Sequence, residues 1–156
     1  MTMQRRDLPP IGMSDLPDEG TRTQVAALCW RMEDGKPKVL LVTSRETGRW
    51  VLPKGWPERG TDAHQDAARE AWEEAGVRGE ASPECLGFYA YNKVLGPDKG
   101  IPCVVAVYPL EVTALKDTYP EVRERRRKWF SPAKAAEKVA EPELKALLAA
   151  FDPARR

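Results

Sequence analysis

Residues 55–77 read GWPERGTDAHQDAAREAWEEAGV, from Gly55 to Val77, and the pattern inside them decides the fold. On an α-helix each residue advances about 100°. With Glu70 set at zero, Glu74 falls at roughly +40° and Glu73 at roughly −60°, so three carboxylates crowd into about 100° of arc. The opposite side carries Ala67, Ala68, Ala71, Trp72 and Ala75, a coherent apolar face. A helix is therefore expected over residues 62–75, packing through one face and presenting acid on the other. Thr61 or Asp62 can cap its start, and Gln65 completes a capping-box spacing with Asp62. Gly76 stands where a left-handed residue is needed to end the helix. Like charges at i, i+3 and i+4 destabilise a bare helix. A hard divalent cation removes that penalty, and Mg²⁺ takes such oxygens together with substrate phosphates. On charge alone, a solvated acidic face explains the same pattern.

Working outward, residues 24–32 and 38–43 are β-prone runs joined by a turn at Asp34-Gly35, a hairpin signal. Trp50, Val51 and Leu52 form a short third strand stopped by Pro53, and a Gly/Pro-rich loop runs over 53–60. After the helix, 85–91 and 102–112 read as strands around a turn-rich loop at 93–100. Residues 127–130 make a last short strand. Ser131 then caps a helix with Pro132 at its first position, and residues 141–151 give another with Leu144, Leu147 and Leu148 on one side. Strands, helix, strands, helix describe a mixed α/β or α+β domain. Residues 1–20, with Pro9, Pro10, Pro17 and two glycines, read as a flexible arm, which leaves residues 21–152 as the domain.

The whole chain of 156 residues fits one domain with a real core. Its net charge of +1 sets up no overall field toward nucleic acid or membrane, so a polyanion site must be a local cluster of Lys and Arg. Arg5 and Arg6 have no apolar stretch behind them, which speaks against a signal peptide. Cys29, Cys85 and Cys103 are far apart and, with one histidine, make a poor zinc site. Buried reduced thiols in a cytoplasmic protein are expected. His64 reads as structural or surface, since one imidazole alone rarely defines a metal site.

Gly55 followed at the right distance by Arg69-Glu70-Ala71-Trp72-Glu73-Glu74-Ala75-Gly76-Val77 resembles the box of the Nudix hydrolases: a glycine, five residues, a glutamate, seven residues, then Arg-Glu-apolar-any-Glu-Glu-any-Gly-apolar. Every position of the second half matches. The late Trp129-Phe130 strand and the helix after it extend the likeness across nearly the whole domain. The resemblance implies an α/β/α sandwich, with a mixed sheet, the catalytic helix on one side and C-terminal helices packed against the sheet. It implies a pyrophosphohydrolase that uses Mg²⁺, with Mn²⁺ as the other candidate. Glu70 and Glu74, one turn apart, are then the first metal ligands. Glu73 is a third ligand or the base that activates water, the Gly55 carbonyl faces the metal, and Arg69 orients a glutamate. One position departs: the box's first glutamate falls on Thr61, which is read as a helix cap. That puts the number of metals in question, with Glu58 or Asp66 as possible substitutes.

The substrate is less legible. Thr43-Ser44-Arg45 and Arg49 through Gly55 are similar to the branch acting on diphosphoinositol polyphosphates and diadenosine polyphosphates, as is the basic stretch at 125–130. A highly phosphorylated ligand needs several cations around one cleft. Arg45, Lys54, Arg127 and Lys128 are the candidates, with Lys93 and Lys99 in reserve, although strand alternation sends half of such residues elsewhere. Trp56 either stacks on a base or covers the core. The alternatives are a nucleoside triphosphate or nucleotide-sugar pyrophosphatase and, in a different class, a non-catalytic ligand-binding module. A phosphorylated small molecule is the expected partner of a monomer or homodimer, with neither nucleic acid nor membrane.

Overall fold

The computed structural model describes residues 10–16 and 21–155. Most of the expected arm, residues 1–9 and 17–20, lies outside them. Residues 10–16 hold one 3-10 turn, Met13–Asp15, and the Met13 amide donates to Glu143 at 3.0 Å.

The expected hairpin forms first: β1, Arg22–Glu33, and β2, Lys36–Thr43. Asp34 at φ 52° and Gly35 at φ 77° make the connection, the left-handed pair that matches strand twist. β3, Trp50–Val51, and β4, Lys54–Gly55, come from the loop that follows, Pro53 separating them. The helix, α1, spans Ala63–Ala75. Beyond it run β5, Val77–Ala81, β6, Gly87–Gly96, β7, Lys99–Leu115, and β8, Arg127–Phe130. Two helices close the chain, α2, Pro132–Lys138, and α3, Pro142–Ala150.

All eight strands join one mixed sheet. β1 runs parallel to β7, from Arg22 opposite Cys103 to Trp30 opposite Glu111, and antiparallel to β2 and β4. Because β1 is central, both of its faces are buried. Val25, Ala27 and Cys29 meet α1, while Ala26, Leu28 and Trp30 meet the side covered by α2 and α3. α1 rests on Ala67, Ala71 and Ala75, all fully buried, and three methyl groups at four-residue spacing let its axis lie close to the sheet. On the far face Leu144 and Leu148 of α3 fill the core. The architecture is the expected three-layer sandwich.

Several local expectations fail. The capping box at Asp62 does not form: Asp62 is the cap residue but its side chain makes no capping bond. Thr61 is not the cap either, because its hydroxyl donates to the Asp66 carboxylate at 2.6 Å. The loop expected at 93–100 is mostly strand. β6 and β7 pair as far as Gly96 and Lys99, leaving a turn at Pro97 and Asp98, the latter at φ 59°. Cys85 is exposed rather than buried; Cys29 and Cys103 are buried, and all three are free. Among the described residues no helix is long and apolar enough to cross a membrane.

Candidate functional site

The site forms where β4 crosses the acidic face of α1. Two ladder positions, Gly55 with Val25 and Lys54 with Ala26, fix β4 against β1. The Lys54 amide then donates to Glu74 Oε1 at 3.3 Å. Gly55 lies directly on the Glu70 carboxylate, and a Cβ there would overlap it. Only glycine allows that approach.

Arg69 fastens the loop from outside. Its guanidinium donates to the Trp56 carbonyl at 3.0 Å and to Asp66 at 2.8 Å, and pairs with Glu58 at 3.3 Å. Glu70 and Glu73 each stand 3.9 Å from it. Asp66 is deeply buried, and the bonds from Thr61, the Glu58 amide and Arg69 outweigh that burial, holding its carboxyl below the usual range. Its oxygens are thus committed to the loop, and Asp66 does not line the cleft. Glu58 is turned toward Arg69.

The cleft has a volume of about 260 Å³. Four cations line it, Arg45, Lys54, Lys93 and Arg125, against five carboxylates, Glu46, Glu70, Glu73, Glu74 and Glu121. Glu70 carries the strongest perturbation. Burial first, then the neighbouring Glu74 and Glu73, push its carboxyl up to about 8. Burial also raises Glu74, against the opposing pull of Lys54 and Arg125, and lowers Lys54. Glu74 accepts from Arg125 at 3.2 Å, and Glu73 is the most open of the three, its side chain 39% exposed.

The donor set fits a hard divalent cation. Three carboxylates on one helical turn beside a glycine carbonyl are all oxygen ligands. With Glu70 ionised, as a ligand must be, five carboxylates face four cations and would repel a polyanionic substrate, and one divalent ion reverses that balance. The cage is not preformed: among the described residues no three acidic, histidine or cysteine side chains converge on one point. Glu74 is drawn toward Arg125 and Glu73 toward Arg69, so ligation requires both to turn.

Of the cations named from sequence, Arg45 and Lys54 reach the cleft and Arg127 and Lys128 do not. Arg127 donates to the Ala75 carbonyl at 2.7 Å and lies over the Tyr119 ring, closing the C-terminal end of α1. Lys128 is exposed and reaches back over Phe130. Lys93 lines the cleft, and Lys99 does not. Trp56 is 42% exposed at the rim. His64 lies on a different surface, beside Glu80 and Ala81.

Arg125 and Glu121 were missed. The Arg125 side chain is 6% exposed and ties Glu74, Glu121 at 3.0 Å and the Thr43 carbonyl at 3.0 Å into one knot. Glu121 also stands 3.7 Å from Arg45, which pairs with Glu124 at 3.1 Å. The four-residue spacing of Glu121 and Arg125 was the available signal.

Residues 22–151 match the NUDIX domain profile. Nudix hydrolase 16, mitochondrial, of Arabidopsis thaliana is 38% identical over 117 residues, covering 72% of this chain and 64% of that protein. Human diphosphoinositol polyphosphate phosphohydrolase 3-alpha is 33% identical over 114 residues, covering 72% of this chain and 65% of its own length. The match therefore spans just under two thirds of these relatives. A Caenorhabditis elegans Ap4A hydrolase superposes with a TM-score of 0.62 at 23% identity, covering 83% of this chain and 94% of that one.

Proposed function

The chain belongs to the Nudix family, and from that premise we propose that it hydrolyses a phosphoanhydride bond in a diphosphoinositol polyphosphate or a diadenosine polyphosphate. The observation that carries this reading is Gly55 lying on Glu70 in a cleft where cations and carboxylates face each other. Glu70 and Glu74, with the Gly55 carbonyl, would hold Mg²⁺ or Mn²⁺. Such an ion supplies charge neutralisation at the phosphates and activation of water. Glu73, open to solvent, is the third ligand or takes the proton from the attacking water. Arg69 keeps the loop and the glutamates in register. Arg45 and Lys54 bind phosphate oxygens, and Arg125 and Lys93 take the places that the sequence assigned to Arg127 and Lys128.

The named activity of the human relative supports the inositol substrate. The exposed ring of Trp56 favours the dinucleotide, whose adenine could stack on it. Product analysis with Mg²⁺ separates the readings, comparing a diphosphoinositol polyphosphate, diadenosine polyphosphates, nucleoside triphosphates and a nucleotide sugar. Turnover of either of the first two, with triphosphates nearly untouched, is expected. Preferred cleavage of nucleoside triphosphates or the nucleotide sugar would make the chain a pyrophosphatase of that kind. Tight binding without turnover on any of them would make it a binding module.

A further inference from the structure

Behind the cleft lies a smaller cavity of about 30 Å³, room for one or two waters. It shares Glu46, Lys54 and Lys93 with the cleft, so Lys54 stands between the two spaces. The Lys54 ammonium sits 4.9 Å from the centre of the Tyr91 ring and makes no ion pair or hydrogen bond among the described residues. Tyr89, 1% exposed, lines the same cavity. Glu141, 3% exposed, completes the wall. It immediately precedes α3, yet its side chain does not cap that helix, and the Arg49 guanidinium stands no nearer than 3.9 Å.

A carboxylate kept in the core is costly unless its charge is used. Glu141 does not cap α3, and its ion pair with Arg49 is a long one at 3.9 Å. Of the two lysines lining its cavity, Lys54 and Lys93, it is Lys54 whose charge bears on it. In the cleft, Lys54 shares the wall with Glu74 of α1. With only Glu74 and Glu46 as carboxylate neighbours, the ammonium would be drawn toward the cleft and a residue that the metal needs. An opposing carboxylate holds it off.

We propose that Glu141 is a positioning residue: across the cavity it holds the Lys54 ammonium between the two spaces, aimed at a phosphate of the substrate. The proposal rests on the reading of Lys54 as a phosphate contact. Steady-state kinetics with Mg²⁺ on the full chain test it, comparing Glu141→Gln, Glu141→Asp, Lys54→Gln and the Glu141→Gln/Lys54→Gln double variant. Glu141→Gln is expected to raise KM about fivefold to tenfold with a smaller change in kcat. Glu141→Asp should recover part of the loss, and the double variant should be no worse than Lys54→Gln, because the positioned group is already gone. An equal further loss from Glu141→Gln in the Lys54→Gln background, or a fall in kcat at unchanged KM, overturns the proposal. Urea denaturation of the same proteins gives a readout that does not need turnover. If the parent chain cleaves none of the polyphosphates, the functional reading fails by itself. Additive stability losses would then overturn the Glu141–Lys54 coupling, and a shared loss would uphold it.

Discussion

Among the cleft carboxylates, Glu70 is pushed up to about 8 by burial and by the neighbouring Glu74 and Glu73. Its carboxyl titrates at about 8 in the fold against an ordinary 4.5, so the metal-free folded chain holds that proton more tightly than the unfolded chain does. The resulting stabilisation is complete below the unfolded value and is lost as pH rises through the folded one. Thermal melting of metal-free protein should show it: Tm falls between about pH 5 and pH 8, and falls less in Glu70→Gln. Mg²⁺ should raise Tm more at about pH 8 than at about pH 6, since at the lower pH the ion must first displace the proton. A Tm of Glu70→Gln that declines as steeply as that of the parent would refute the assignment. The three helical glutamates were legible because spacing on one turn is fixed by the helix itself, and Gly55 was legible only through the resemblance to the Nudix box. Arg125 was not. In the run from Arg123 to Lys128, alternation tells neighbours apart but does not say which set faces the cleft. That choice is made by the turn at residues 116–126, which docks on α1 through Glu121 N–H to the Glu73 carbonyl at 3.0 Å.

At the scale of elements, α1 works because both of its ends are constrained. Gly76 ends it at φ 68°, its amide donating to the Ala71 and Trp72 carbonyls. A Cβ at that position would run into the Tyr119 ring and come within 2.8 Å of the Lys116 carbonyl oxygen. Gly76→Ala therefore combines left-handed strain with a clash and should cost about 1–3 kcal/mol. Chemical denaturation should show this as a lower midpoint at unchanged slope; a change below about 0.5 kcal/mol would contradict the packing described here. Helix, hairpin and late strand were legible because each carries a strong period or a turn signal. β5 was not: Val77–Ala81 has a glycine and two charged residues in five, and alternates from buried to exposed on the sheet's outer edge. Sequence offers such a strand little to declare it. The opposite error occurred at 93–100, where Gly96, Pro97 and Gly100 suggested a long loop although two residues suffice to turn β6 into β7.

Across the whole molecule, a net charge of +1 conceals the feature that matters. Charge is sorted locally, with a buried acidic turn on α1 and cations brought to it from the β2–β3 loop, β4, β6 and the segment before β8. The three-layer sandwich makes this possible by clamping α1 to one face of the sheet while α3 delivers Glu141 from the other. On the proposed reading, this cleft becomes a phosphoanhydride hydrolase only with a divalent ion on α1. Phosphate release from a diphosphoinositol polyphosphate or diadenosine polyphosphate, measured on chelator-stripped protein during Mg²⁺ titration, tests it most directly. Turnover should be absent without metal, rise to saturation with it, and fall at least about a hundredfold in Glu74→Gln. Turnover that survives chelation, or that is unchanged in Glu74→Gln, would show that hydrolysis does not depend on a divalent ion held by α1.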